Sequence, residues 1–135
     1  MKTLYIYTLS VLISSACLAQ TDMTNDCKVL RAFFNDTSVR NYLDLRPDYT
    51  VFRNESSFFR DCKTVKIGGQ VFRILDTSWE SKVERIPNYM FITKGDNGQL
   101  LIKLTDSAGE REKMYSLTKQ KDQYIVKWIY YHLLD

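Results

Sequence analysis

His132 is the chain's single histidine, and Cys17, Cys27 and Cys62 are its only cysteines; these residues limit the chemistry available. A nucleophilic triad needs a base beside a serine or cysteine nucleophile. No Gly-x-Ser-x-Gly elbow is present, and His132 sits between Tyr130 and Leu134 in an alternating apolar run. It reads as a packed or surface-binding strand residue rather than a general base. Zinc needs several His or Cys ligands, which one histidine and a paired set of cysteines do not supply. Gly95-Asp96-Asn97-Gly98 offers oxygen ligands but lacks the alternating acids and closing Glu of a calcium loop. Gly68-Gly69 has no GxGxxG or GxxxxGK[ST] around it, so it reads as a turn rather than a phosphate cradle. Acid–base work by a carboxylate needs an apolar pocket to raise its pKa, and the Asp and Glu residues fall mainly at turns and solvated strands. No catalytic residue, metal or cofactor is therefore expected.

Cys17 belongs to a segment of its own. Lys2 gives a positive start, Leu4 to Ile13 are largely apolar, and Ser14 to Ala19 supply small residues for signal peptidase. Cleavage after Ala19 leaves Gln20 first, with 1–19 as signal and 20–135 as one domain. A lipoprotein reading of Cys17 is weaker, because Ser14 stands where a large aliphatic residue belongs; a membrane anchor is weaker too, because the run is short. Residues 1–19 contain Lys2 and no acid, so cleavage lowers the formal charge from +3 to +2. No later stretch has the apolar length of a membrane span. Cys27 and Cys62 remain, an even number in an oxidising compartment, and read as one structural disulfide; a redox pair would favour CxxC spacing. The expectation is a bacterial periplasmic or secreted protein. Two sequons, at Asn35 and Asn54, then read as chance.

The elements that position these residues follow from hydrophobic period. Thr24 or Asn25 can cap a helix in which Cys27, Leu30, Phe33 and Phe34 share a face. Asn35 to Ser38 interrupts it, and a short second helix passes Val39, Tyr42 and Leu43 before Pro47. The period then falls to two. Strands are expected at 49–53, at 65–67 and 71–74 around Gly68-Gly69, at 82–86, and in a meander of 89–93, 100–105, 110–118 and 123–134. Residues 77–80 fit a capping box on one helical turn. The class is α+β: an N-terminal helix, or kinked helix pair, on a curved antiparallel meander of about five to seven strands. The order is similar in layout to the cystatin-like and NTF2-like architectures, a resemblance that implies a scaffold and no activity.

Aromatic content is the unusual feature. Residues 20–135 hold 16 Phe, Trp and Tyr side chains. The last strand places Trp128, Tyr130 and His132 on one face by simple alternation and Ile129, Tyr131 and Leu133 on the other, as for a strand covered on both sides or lying at an interface. Trp128, Tyr130 and His132, with Tyr89 and Tyr115 on neighbouring strands, are the candidate binding residues. Lys and Arg alternate with acids, as in Glu110-Arg111-Glu112-Lys113, which argues against a nucleic-acid surface. The expected function is an exported, non-catalytic module that binds a protein partner, of the inhibitor, immunity or envelope-adaptor kind. The alternative is a small-ligand binder or acid–base enzyme using a pocket between helix and sheet.

Overall fold

A computed structural model describes residues 23–43, 51–76, 88–106 and 108–133. The expected helical turn at 77–80 and strand at 82–86, the signal segment and Pro47 lie outside these residues.

Helix α1 (Cys27–Asn35) starts one residue later than a cap at Asn25 would place it and two later than a cap at Thr24. Asp26 is the N-cap, its carboxylate accepting from Lys28 N at 2.9 Å. Val29, Leu30, Phe33 and Phe34 form its buried stripe. Asp36 then ends α1 and caps α2 (Thr37–Arg40), accepting from both the backbone and the hydroxyl of Ser38. A chain that must turn sharply between two short helices uses one aspartate for both jobs.

The strands are β1 (Val51–Asn54), β2 (Thr64–Ile67), β3 (Gln70–Asp76), β4 (Asn88–Lys94), β5 (Leu100–Thr105), β6 (Arg111–Gln120) and β7 (Gln123–Leu133). They form one sheet in the order β2-β3-β1-β4-β5-β6-β7. The meander expected from the sequence is real from β4 to β7, where every pairing is antiparallel. It does not extend through the whole sheet. β1 is inserted between β3 and β4 and runs parallel to both, so the all-antiparallel expectation is corrected at the centre. Such long-range parallel pairing leaves no local turn signal in the sequence. The β2–β3 hairpin turns at Gly68 and Gly69, both at positive φ, as the sequence predicts.

Helix α1 contacts both β2 and β7, the two ends of the sheet. That is geometrically possible because the sheet curls into a half-barrel around it. Inside the curl, Phe33 packs edge-on against Phe34 and Tyr115, while Phe34 meets Phe52, which meets Phe72; the centroid separations run from 4.6 to 6.2 Å. Met90, Ile92, Leu100, Ile102, Leu104 and Leu117 complete the inner layer.

The Cys27–Cys62 disulfide is formed, with its Cα atoms 5.6 Å apart. A short turn delivers Cys62 to the start of α1. Phe59 N donates to Thr24 O and Cys62 N to Phe59 O, with buried Phe59 at φ +56°. Positive φ is unfavourable for a bulky residue, so this turn is held by its burial and its covalent tie. A disulfide fits an oxidising environment.

Both sequon asparagines do structural work. Buried Asn54 donates to Phe58 O and accepts from the backbone and hydroxyl of Ser56. Asn35 donates to Arg31 O and Lys66 O and accepts from Gly68 N, binding α1 to the β2–β3 hairpin.

Candidate functional site

The two faces of the meander are set by which residues reach the core. On β4 to β6, Met90, Ile92, Leu100, Ile102, Leu104, Tyr115 and Leu117 point inward. Tyr89, Phe91, Lys103, Thr105, Glu112 and Met114 therefore point outward. Cross-strand partners share a face, so β7 inherits its orientation from β6.

Here the simple alternation along β7 fails. Tyr115 pairs with Trp128, but Met114 pairs with Tyr130, so a bulge at Ile129 shifts the register. Trp128 lies on the inner side with Tyr115, and Tyr130 on the outer side with Met114. The side-chain contacts agree. Lys113 Nζ stands 5.2–5.7 Å from the rings of Tyr42, Tyr115 and Trp128, all on the inner side. Tyr131, paired with Lys113, meets the Tyr42 ring edge-on at 6.4 Å. On the outer side Tyr130 Oη donates to Glu112 at 2.9 Å. Glu112 pairs in turn with Lys103 at 3.3 Å, whose ammonium lies over Phe91.

The five candidate residues are thus divided. Tyr89, Tyr130 and His132 share the outer face. Tyr89 lies in the same cross-strand row as Thr105, Glu112 and His132, three strand spacings, or roughly 14 Å, from β7. Trp128 projects on the inner side, at the open rim. Tyr115 is wholly buried in the aromatic core, with its hydroxyl donating to Ser38 O at 3.3 Å, which removes it from any exposed surface. Burial raises its phenol pKa.

β7 is the edge of the sheet, not a strand covered on both sides. Its first turns pack inward through Tyr124 and Val126, but from Lys127 to Leu133 every residue is exposed. Trp128 is 57% exposed, Leu133 59%, Ile129 46%, Tyr131 43% and Tyr130 37%. Among the described residues, no backbone group of β7 has a hydrogen-bond partner beyond its ladder to β6. The opposite edge contrasts with it. β2 is four residues long, and the Asn35 side chain caps its end at Lys66 O and Gly68 N. Ile129, Tyr131 and Leu133 thus join the site. The apolar character of both strand faces signalled them, although that pattern does not tell an edge from a covered strand.

Two tyrosines near this rim have perturbed hydroxyls. Tyr42 Oη is buried without a partner, and its pKa is pushed up to about 12, chiefly by burial and then by the charge of Asp106. Tyr130 is also raised, by desolvation and by its bond to the Glu112 carboxylate. Among the described residues there is no group of three or more metal-binding side chains, and Asn54 is the only buried polar side chain. Among the described residues no helix is long and apolar enough to cross a membrane. A shallow groove on the far side of α1 is lined by Lys28, Arg31 and Lys66 beside Asn35.

Comparisons with protein-family models, curated proteins and solved structures found no match to this chain.

Proposed function

We propose that this chain is an exported, non-catalytic binding module that recognises a protein partner along β7. One observation carries the reading: an eleven-residue edge strand whose outer rim has no partner among the described residues, with large apolar side chains exposed on both of its faces. An exposed strand edge gives affinity through main-chain hydrogen bonds, and side chains on either face give specificity. Trp128, Ile129, Tyr131 and Leu133 supply apolar area, and Tyr130 and His132 supply polar tips beside Glu112. On this reading a signal ending near Ala19 directs the chain to the bacterial periplasm or exterior, where the disulfide persists. The partner is the target of an inhibitor, immunity or adaptor protein. The pocket-based alternative has less support, because the inner face of the curl is occupied by Phe33, Phe34, Phe52, Phe72 and Tyr115 and no described carboxylate is buried.

The test is capture of partners on the oxidised chain, followed by reconstitution of each binary complex from purified components. Trp128→Ala and Tyr130→Ala are assayed separately, each with an unchanged circular-dichroism spectrum. A fall in affinity of tenfold or more in either variant supports the reading. A complex indifferent to both substitutions, or no stoichiometric complex at all, refutes it.

A further inference from the structure

We propose that, in the absence of its partner, β7 is covered by β7 of a second copy of this chain, paired antiparallel about a two-fold axis. The proposal rests on the reading of β7 as the recognition edge and adds what occupies that edge at rest.

The two edges of the sheet differ in how they are protected. Folded proteins blunt sheet edges with short strands, charge, proline, bulges or a covering element. β2 is four residues long and is capped by Asn35 from α1, two devices that β7 lacks among the described residues. From Lys127 to Leu133, β7 has no proline and no acidic residue; its one lysine and the bulge at Ile129 lie in the first half of the segment, and Tyr130 to Leu133 carry neither device. An edge of that length left unpaired exposes main-chain donors and acceptors along about half its residues, beside side chains that gain by leaving water.

β7 is also compatible with itself. A two-fold axis perpendicular to the sheet keeps each copy's outer face beside the other's outer face, so Trp128 and Tyr131 stay on the inner side and Tyr130 and His132 on the outer. With the axis near Tyr130 and Ile129 set out of register by the bulge, Trp128 of one copy opposes Tyr131 of the other on the inner side and Lys127 opposes His132 on the outer, so the two Lys127 residues stand four positions apart along the strands, or roughly 13 Å, beyond the Debye length at physiological salt. No carboxylate in this segment of β7 opposes the pairing.

β7 also offers area. Three aromatic rings, each burying about 150–250 Å² when fully covered and here about half exposed, together with Ile129 and Leu133, offer roughly 500 Å² per copy. Complete covering of these side chains in two copies sets an upper bound of about 1,000 Å², to which the paired backbone adds, against a threshold of about 1,000 Å² for a specific interface. An occupant of unrelated sequence would have to match an apolar strand twice, on both faces; a second β7 does so by symmetry.

The experiment uses the full chain, purified oxidised, in sedimentation velocity across a concentration series together with native hydrogen exchange. A dimer is expected that dissociates on dilution, with β7 amides from 127 to 133 protected in proportion to the dimer fraction. Ile129→Lys with Leu133→Lys, both at exposed positions, gives a folded monomer whose β7 amides exchange at least tenfold faster. Three outcomes overturn the proposal. The wild type is monomeric at about 100 µM, where even a 10 µM Kd would leave most chains paired. A dimer forms whose β7 amides are unprotected, so that the interface lies elsewhere. Or a monomer keeps β7 protected, so that another segment of the same chain covers it. A monomer that still binds its partner through Trp128 or Tyr130 defeats the dimer alone. A dimer that no partner displaces defeats the recognition reading and leaves the dimer standing.

Discussion

Reduction of the Cys27–Cys62 bridge is expected to destabilise the fold by about 4 kcal/mol, because it reopens a loop with a sequence separation of 35 in the unfolded chain. The same bond acts locally. α1 is nine residues long, shorter than a helix that persists alone in water, and the bridge joins its first residue to the turn ahead of β2. That turn holds Phe59 in a left-handed conformation, which burial and the tie to Thr24 O maintain. The assay is urea unfolding of the oxidised and the dithiothreitol-reduced wild type. Reduction keeps both sulfur atoms in place, whereas replacing Cys62, which is 3% exposed, would add a cavity. The midpoint should fall and the m-value rise, since an uncrosslinked unfolded chain exposes more surface. The melting temperature should drop by roughly 10–20 °C for a domain of this size. A reduced protein within about 1 kcal/mol of the oxidised one would refute the reasoning, because the unfolded chain would then not gain the freedom that the loop length implies.

Alkaline titration tests the Tyr42 hydroxyl. Its pKa is about 12 in the fold against an ordinary value near 10, so the folded state keeps a proton that the unfolded state sheds. Stability from this group is intact below pH 10 and falls as pH rises from 10 through 12, by about 1–2 kcal/mol after allowing for partial exposure. Tyr42→Phe should remove that part of the loss, and a variant that loses as much as wild type over this range contradicts the assignment. Gly68→Ala is expected to destabilise by about 1–2 kcal/mol in urea, because φ is +56° and a Cβ would stand 3.2 Å from Arg40 Nη2; an unchanged midpoint would show that the turn adopts another conformation. Asn35→Ala removes hydrogen bonds to Lys66 O and Gly68 N and should cost about 1–2 kcal/mol. The Gly68 amide should then exchange faster, and unchanged protection there would show that the β2 edge is capped by something else.

Much of the local structure was legible from the residues alone. Cys27 and Cys62 pair as their number suggested. Gly68-Gly69 makes its hairpin, Leu100–Thr105 is a strand with the expected ends, and Phe33 and Phe34 lie on the buried stripe of α1. These features depend on φ preferences and on hydrophobic period over a few neighbours, so a single sequence carries them. The N-cap is Asp26 rather than Thr24 or Asn25, because neighbouring polar side chains compete for the same free N–H groups.

The candidate site was legible only in its composition. That β7 is apolar on both faces is written in its residues; that it is an edge depends on the strand order, and that order rests on β1 pairing in parallel with both β3 and β4 across long stretches of chain. Tyr115 and Tyr130 look alike in sequence, yet one fills the core and the other donates to Glu112 at the surface, because adjacent positions on β6 face opposite ways and β7 takes its orientation from them. The bulge at Ile129, which sends Trp128 inward and Tyr130 outward, is a property of the β6–β7 ladder as a whole. Sequence determined the local conformations and the supply of aromatic surface. The tertiary pairing decided which of that surface meets solvent, since burial depends on what lies across the sheet and not on the residues next along the chain.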